Sequence, residues 1–228
     1  MKKIMDNLTH NTAFGFPIVT TKIDKTAYDK KSIISTIEKN FKINQKRNKW
    51  DKASVLHHLN GDESNPEYHK VNYDTLIPVY KKVISKILDS LPMVAVDFEF
   101  TIINYTCLSN SNYMASHFHL SSDFTAVHYI QFDKKHHTAT TFENSLPHAD
   151  YIDSLRPNLS KIFSQSHWDN SWIFPTCRLN VEEDDFCFSP AFLKHKVEPQ
   201  TSKKKNRITL ILNISLTKKH NGMHEGAV

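Results

Sequence analysis

Little in this chain marks it at a glance, and each missing feature removes a class of protein. Its 228 residues hold three cysteines, Cys107, Cys177 and Cys187, an odd number with no C-x-x-C pair. They build neither a disulfide framework nor a zinc ribbon, and a reducing cytoplasm is the simplest compartment. No Pro/Gly-rich or low-complexity stretch is present. With 39% hydrophobic, 23% charged and 11% aromatic residues the chain reads as an ordered globular protein, long enough to bury a core. No apolar run approaches the length of a membrane span. Asp6, Asn7 and His10 break the segment after Met1-Lys2-Lys3 that would otherwise start a signal peptide. The expectation is a soluble, unexported protein. Net charge is only +5 and the basic residues are scattered as pairs, which is not the stripe of a nucleic-acid binder. No internal repeat is visible.

What the chain has in quantity is histidine, fourteen in all, several in its middle third. Imidazole is a common metal ligand, so their spacing matters. The surrounding periodicity predicts a single domain with a helical part at about 1–92, a sheet core at about 93–216 and a polar tail at 217–228. Ile33, Ile34, Ile37 and Phe41 recur at helical spacing across Ser32 to Phe41. From Tyr73 to Leu91 a longer stripe includes Leu76, Tyr80, Val83, Ile84, Ile87 and Leu88, with Asp74 placed as a cap and Pro92 as a stop. The period then changes to two. Val94 to Ile102, Phe124 to Phe132 and Arg207 to Leu216 alternate as strands. In the last, Ile208, Leu210, Leu212, Ile214 and Leu216 share one face, expected under the helices. Arg207, Thr209, Ile211, Asn213 and Ser215 share the other, expected to look into a cavity. Asn144 to Pro175, with Trp168 and Trp172 and a short helix expected near Ser160 to Phe163, reads as an insertion.

Three segments carry possible chemistry. His117-Phe118-His119 sits just upstream of the Phe124 strand. Residues two apart in an extended chain point to one side, so two imidazoles can reach one ion, or simply lie solvated in a loop. Phe188-Ser189-Pro190-Ala191-Phe192-Leu193-Lys194-His195 ends a strand, turns, and returns a lone histidine; alone, such a residue is more often a surface group than a ligand. Arg207 and Thr209 share a strand face, a geometry suited to gripping a carboxylate and equally to an edge ion pair. The order of all three is far more specific than any piece. His57-His58, His136-His137 and His220 are expected in loops or at element ends, solvated, and Cys187 as a small core residue.

In that order, HFHLSSDFTAVHYIQFD, VEEDDFCFSPAFLKHKVEP and NRITLILNIS resemble the iron(II)- and 2-oxoglutarate-dependent oxygenases. The likeness is to the small bacterial and phage-encoded branch, in which H-x-H stands where most members have H-x-D. It covers about Phe98 to Leu216, and Phe16-Pro17-Ile18 is similar to the family's opening. It implies an α+β protein, a double-stranded β-helix or jelly-roll barrel with N-terminal helices on one sheet. It implies His117 and His195 as iron ligands, Arg207 pairing with the distal carboxylate of 2-oxoglutarate and Thr209 hydrogen-bonding it. Asn104 and Tyr129 are further candidates for the cosubstrate. His119 is preferred as the third ligand, with Asp123 orienting an imidazole or replacing it. Asp184-Asp185 departs from the family's Gly-Asp. The implied reaction couples conversion of 2-oxoglutarate to succinate and carbon dioxide with hydroxylation of a small molecule or a peptide, with no membrane partner. Two other readings stand beside it. H-x-H-x-x-x-D is also similar to a cupin motif, in which His117, His119, Asp123 and His195 hold one ion without 2-oxoglutarate, although the expected glycine is missing. A jelly roll without catalysis could bind a partner instead, with Lys42 to Lys52 as a phosphate-binding segment.

Overall fold

A computed structural model describes residues 8–47, 56–59, 66–91, 96–145, 174–201 and 205–219. The chain opens with a hairpin, β1 (Thr9–Ala13) and β2 (Phe16–Lys22), joined through Phe14 and Gly15. Both turn residues have positive φ, 56° and 88°, the two-residue turn whose twist matches the strands. Helix α1 (Lys30–Arg47) is longer at both ends than the apolar stripe predicts. Asp29 caps it, its Oδ1 accepting the Ser32 amide at 3.1 Å. After β3 (Leu56–Leu59) comes α2 (Ile77–Ser90), which does not begin at an Asp74 cap. Residues 74–76 form a turn, Leu76 occupies the cap without a side-chain bond, and Pro78 presets the first helical turn. The helix closes at Leu91, whose extended backbone suits a residue before proline.

The remaining strands build two sheets. They are β4 (Val96–Leu108), β5 (Met114–His117), β6 (Phe124–Gln131), β7 (Thr140–Glu143), β8 (Thr176–Arg178), β9 (Asp185–Pro190), β10 (His195–Val197) and β11 (Arg207–Lys219). The larger sheet has the order β1-β2-β9-β6-β11-β4-β3 and the smaller β5-β10-β7-β8. Every pairing among the described residues is antiparallel. Two such sheets with helices on the outside of one make the expected jelly roll. β11 runs three residues past its expected end. His57 and His58, expected in a loop, lie in β3, which pairs with the free edge of β4 and satisfies backbone groups otherwise left to water.

The helices lie where the alternation in β11 puts them. Ile208, Leu210, Leu212 and Ile214 join Ile33, Ile37, Tyr80, Ile84 and Ile87 in one buried cluster. Each such side chain contributes about 1.5–3 kcal/mol. The odd-numbered residues face the space between the sheets, where Ile18, Tyr129, Phe142, Cys187 and Leu193 form an inner cluster. Cys187 is the core residue expected of it. One irregularity positions the site. In β4, Asn104 pairs with Ile211 and Ile102 with Leu212, so Ile103 is an extra, unpaired residue. This bulge turns Asn104 to the cavity while Ile102 stays in the helix-side core.

The insertion lies outside the described residues from 146 to 173, including Trp168, Trp172 and Ser160 to Phe163, as do His220, the end of the basic segment at residues 48–52 and the tail beyond Lys219. The base of the insertion is described. The Asn144 amide donates to the Pro175 carbonyl at 2.8 Å, and Asn144 Nδ2 to the Phe174 carbonyl at 3.2 Å.

Candidate metal centre

His117 ends β5 and His195 begins β10, and the two are cross-strand partners. Partners across an antiparallel pair stand about 4.5–5.5 Å apart at Cβ, so their rings must meet. The ring centroids are 4.4 Å apart. His119 reaches the same place from two residues further on, where its amide donates to the Ala191 carbonyl at 3.0 Å. Its ring lies 5.7 Å from His117 and 5.4 Å from His195. Each histidine offers a ring nitrogen within 4.8 Å of the others.

The imidazoles are also oriented. Nδ1 of His117 lies 2.8 Å from the Ala115 carbonyl and Nδ1 of His195 2.8 Å from the Leu193 carbonyl. A carbonyl only accepts, so both Nδ1 atoms carry the proton and both Nε2 lone pairs are free. Nδ1 of His119 is 2.9 Å from Asn213 Oδ1. Burial, with His117 adding to it, lowers the His195 pKa to about 4. Burial likewise lowers that of His119, against the bond its Nδ1 donates to Asn213 Oδ1. Neutral imidazoles held by outer-shell acceptors are what a metal requires.

Asp123 does not join this cluster. Its Oδ2 accepts the Leu216 amide at 2.8 Å, tying the strand entry to β11. The carboxylate that the cupin reading places on the ion is therefore engaged elsewhere. Asn213 holds His119 instead. The shared face of Arg207, Thr209, Ile211 and Asn213 was the only sequence signal for it.

The cluster opens into a cavity of about 170 Å³ between the sheets, lined also by Asn104, Val127, Arg207, Thr209 and Ile211. Arg207, 1% exposed, sits at the start of β11. Its Nε donates to the Thr138 carbonyl at 3.0 Å and Nη1 to Thr209 Oγ1 at 3.4 Å, and Thr209 is 2.6 Å from Thr106 Oγ1. Nη2 has no partner among the described residues, and neither does Asn104 Oδ1. Burial lowers the Arg207 pKa, with Tyr129 opposing, and the guanidinium stays charged. Buried polar atoms without partners are costly, and a charged one more so. The cavity thus presents a ligand with an unmet donor, Arg207 Nη2, and an unmet acceptor, Asn104 Oδ1. Tyr129 is brought to Arg207 rather than to the cavity lining. Its ring centroid is 5.2 Å from the guanidinium carbon, and its hydroxyl donates to Thr140 Oγ1 at 2.8 Å.

His137, expected solvated, is buried. Its Nδ1 accepts the Asp133 amide at 2.9 Å and its Nε2 donates to the Lys205 carbonyl at 2.8 Å. It fixes the approach to Arg207, a role that only the turn geometry reveals.

Fold and cavity together define a double-stranded β-helix with a histidine cluster between its sheets. No family model matches the sequence, and no curated protein matches it. Solved structures do. AviO1 from Streptomyces viridochromogenes Tue57 superposes with a TM-score of 0.52 at 10% identity, covering 87% of this chain and 90% of that one. A prolyl hydroxylase from Trichoplax adhaerens, in complex with a hypoxia inducible factor peptide fragment, gives 0.51 at 11% identity, covering 88% and 83%. The likeness spans nearly the whole chain and shows the shared fold, the one the motifs imply. No helix among the described residues is long and apolar enough to cross a membrane.

Proposed function

We propose that the protein is an iron(II)- and 2-oxoglutarate-dependent oxygenase that hydroxylates a small molecule or a peptide. One observation carries the reading: three oriented imidazoles share a cavity with a buried guanidinium that has an unmet donor. The donor set fits. Three neutral nitrogens on one side suit a first-row divalent ion and leave positions for other ligands. In this reading His117, His119 and His195 hold the iron. Arg207 takes the distal carboxylate of 2-oxoglutarate, Thr209 adds a hydrogen bond, and Asn104, which lines the same cavity, is a further contact for the cosubstrate. Tyr129 and Thr138 keep Arg207 aimed. Bound iron with 2-oxoglutarate supplies conversion of the keto acid to succinate and carbon dioxide, coupled to oxidation of a C–H bond. The apolar wall of Val127 and Ile211 keeps water from that space. Three free cysteines, two of them buried, support placing the protein in the reducing cytoplasm.

The test is anaerobic addition of ferrous iron and 2-oxoglutarate to the purified protein. A visible absorption band that needs both components is expected. Iron binding with no such band would overturn the keto-acid assignment. Arg207→Ala should weaken 2-oxoglutarate by about 10- to 150-fold, the worth of a charged hydrogen bond, and leave metal affinity unchanged.

A further inference from the structure

His117 and His195 meet because two short strands meet, and one of these has few bonds to hold it. β5 is four residues long and lies at the edge of the smaller sheet, where among the described residues it pairs with β10 alone. Its register also breaks. His117 faces His195 and Met114 faces Val197, so three steps of β5 run against two of β10. A bulged edge strand is free to twist away from its neighbour. The His117 ring, and the path to His119 two residues beyond, both depend on where it lies.

A side chain from a third strand fastens it. His195 and Phe142 are cross-strand partners whose rings lie 5.9 Å apart, with Phe142 in the inner cluster, so the residues beside them in sequence point to the outer face. There Glu143, the last residue of β7, reaches past the start of β10, and the Ser116 hydroxyl donates to its Oε2. The Glu143 amide donates to the Lys194 carbonyl at 2.8 Å, and its carboxylate lies 3.8 Å from Lys194 Nζ and 3.5 Å from Lys196 Nζ. Ser116 is next to His117, and Lys194 and Lys196 stand on either side of His195. One residue therefore grips the neighbours of two ligands. The lysine side chains are 48% and 31% exposed, and ion pairs of that kind contribute little. A hydrogen bond to a carboxylate contributes more. The Glu143 charge also favours a cation at His195, against the burial that dominates there.

Resting on the functional reading above, we infer that Glu143 is a positioning residue of the metal centre, whose bond from Ser116 keeps β5 in register and so brings His117 and His119 to His195. It acts through Ser116 and the strand, and the imidazoles remain the ligands.

The experiment measures the nickel(II) affinity of the full chain by competition with a chromophoric chelator, beside urea melts of the metal-free proteins. Ser116→Ala leaves the Glu143 charge in place and should bind nickel about tenfold more weakly, the lower end of what outer partners of metal ligands are worth. Ser116→Thr keeps the hydroxyl and should restore the wild-type affinity. Glu143→Ala should lose at least as much as Ser116→Ala. The double variant should lose no more than Glu143→Ala alone, because both single changes break the same bond. The metal-free melts should move little, since Ser116 is exposed. Wild-type affinity in Ser116→Ala overturns the inference, as do losses that multiply in the double variant. A Ser116→Thr protein as weak as Ser116→Ala overturns it too, for the hydroxyl is then not the agent. Should Glu143→Ala fail to fold, the two Ser116 variants decide. Failure of the functional reading shows itself in the wild type, as no nickel binding at all.

Discussion

Single side chains on the two faces of one strand do opposite jobs. In β6, Val127 lines the cavity, whereas His128 turns into the helix-side core, where it is fully buried. Tyr80 donates its hydroxyl to His128 Nδ1 at 2.7 Å, and Nε2 has no partner among the described residues. Burial, with Lys30 adding to it, lowers the His128 pKa from 6.5 to about 3. Above pH 6.5 folded and unfolded chains both hold it neutral, and it adds no pH dependence. Between 6.5 and 3 the unfolded chain takes a proton that the folded one refuses, so stability falls with pH, approaching about 1.4 kcal/mol per unit. His128→Gln, which keeps an acceptor for Tyr80, should flatten that slope by about one proton. Urea melts from about pH 7.5 to about pH 4.5 measure it, and parallel slopes would refute the assignment. At the metal cluster, Asp123→Ala should keep full metal occupancy and His119→Ala should lose it, read by metal analysis after dialysis.

Elements are placed by a few local departures from regularity. The turn before β9 puts Asp184 at φ 70°, a left-handed conformation that glycine adopts freely. Aspartate tolerates it better than most residues, and here its carboxylate meets Lys30 Nζ at 2.5 Å, tying the turn to α1. Both Asp184→Gly and Asp184→Ala lose that pair, but only alanine strains the backbone. The alanine variant should therefore be less stable than the glycine variant by about 1 kcal/mol in thermal melts, and equal melting would sink the argument. Such departures also mark where the sequence stops being legible. The period-two runs of β4, β6 and β11 and the stripes of both helices could be read directly, because each buries a continuous apolar face. The bulge at Ile103 could not, since strict alternation puts Asn104 on the same face as Ile102. The strands of the smaller sheet, 3 or 4 residues long, are too short for a period to show. Asp29 as the cap of α1 and Asn213 as the partner of His119 depend on neighbours distant in sequence or on a helix start that apolar spacing does not mark.

At the level of the whole molecule, a ligand that binds only the folded state raises its stability by mass action, about 2.7 kcal/mol at a hundredfold excess over Kd. The histidines come from β5, β10 and the segment after β5, and none of their mutual geometry survives unfolding. Nickel(II) in that excess should raise Tm by roughly 5–10 °C, and Arg207→Ala should retain the rise. An unchanged Tm for the wild type would mean that no site assembles on folding. The order of the motifs was readable because the chain returns to one cavity in a fixed sequence of strands, although no residue by itself specified a site. The bonds from Asn144 to Phe174 and Pro175 add one architectural result. The polypeptide departs from the barrel at Asn144 and rejoins it at Phe174 and Pro175, so exit and return are fastened side by side at a single doorway. With both posts held by the same asparagine, replacing residues 146–173 by a short linker should leave the strands that carry the histidines in register, and loss of the nickel-dependent rise in Tm would refute this.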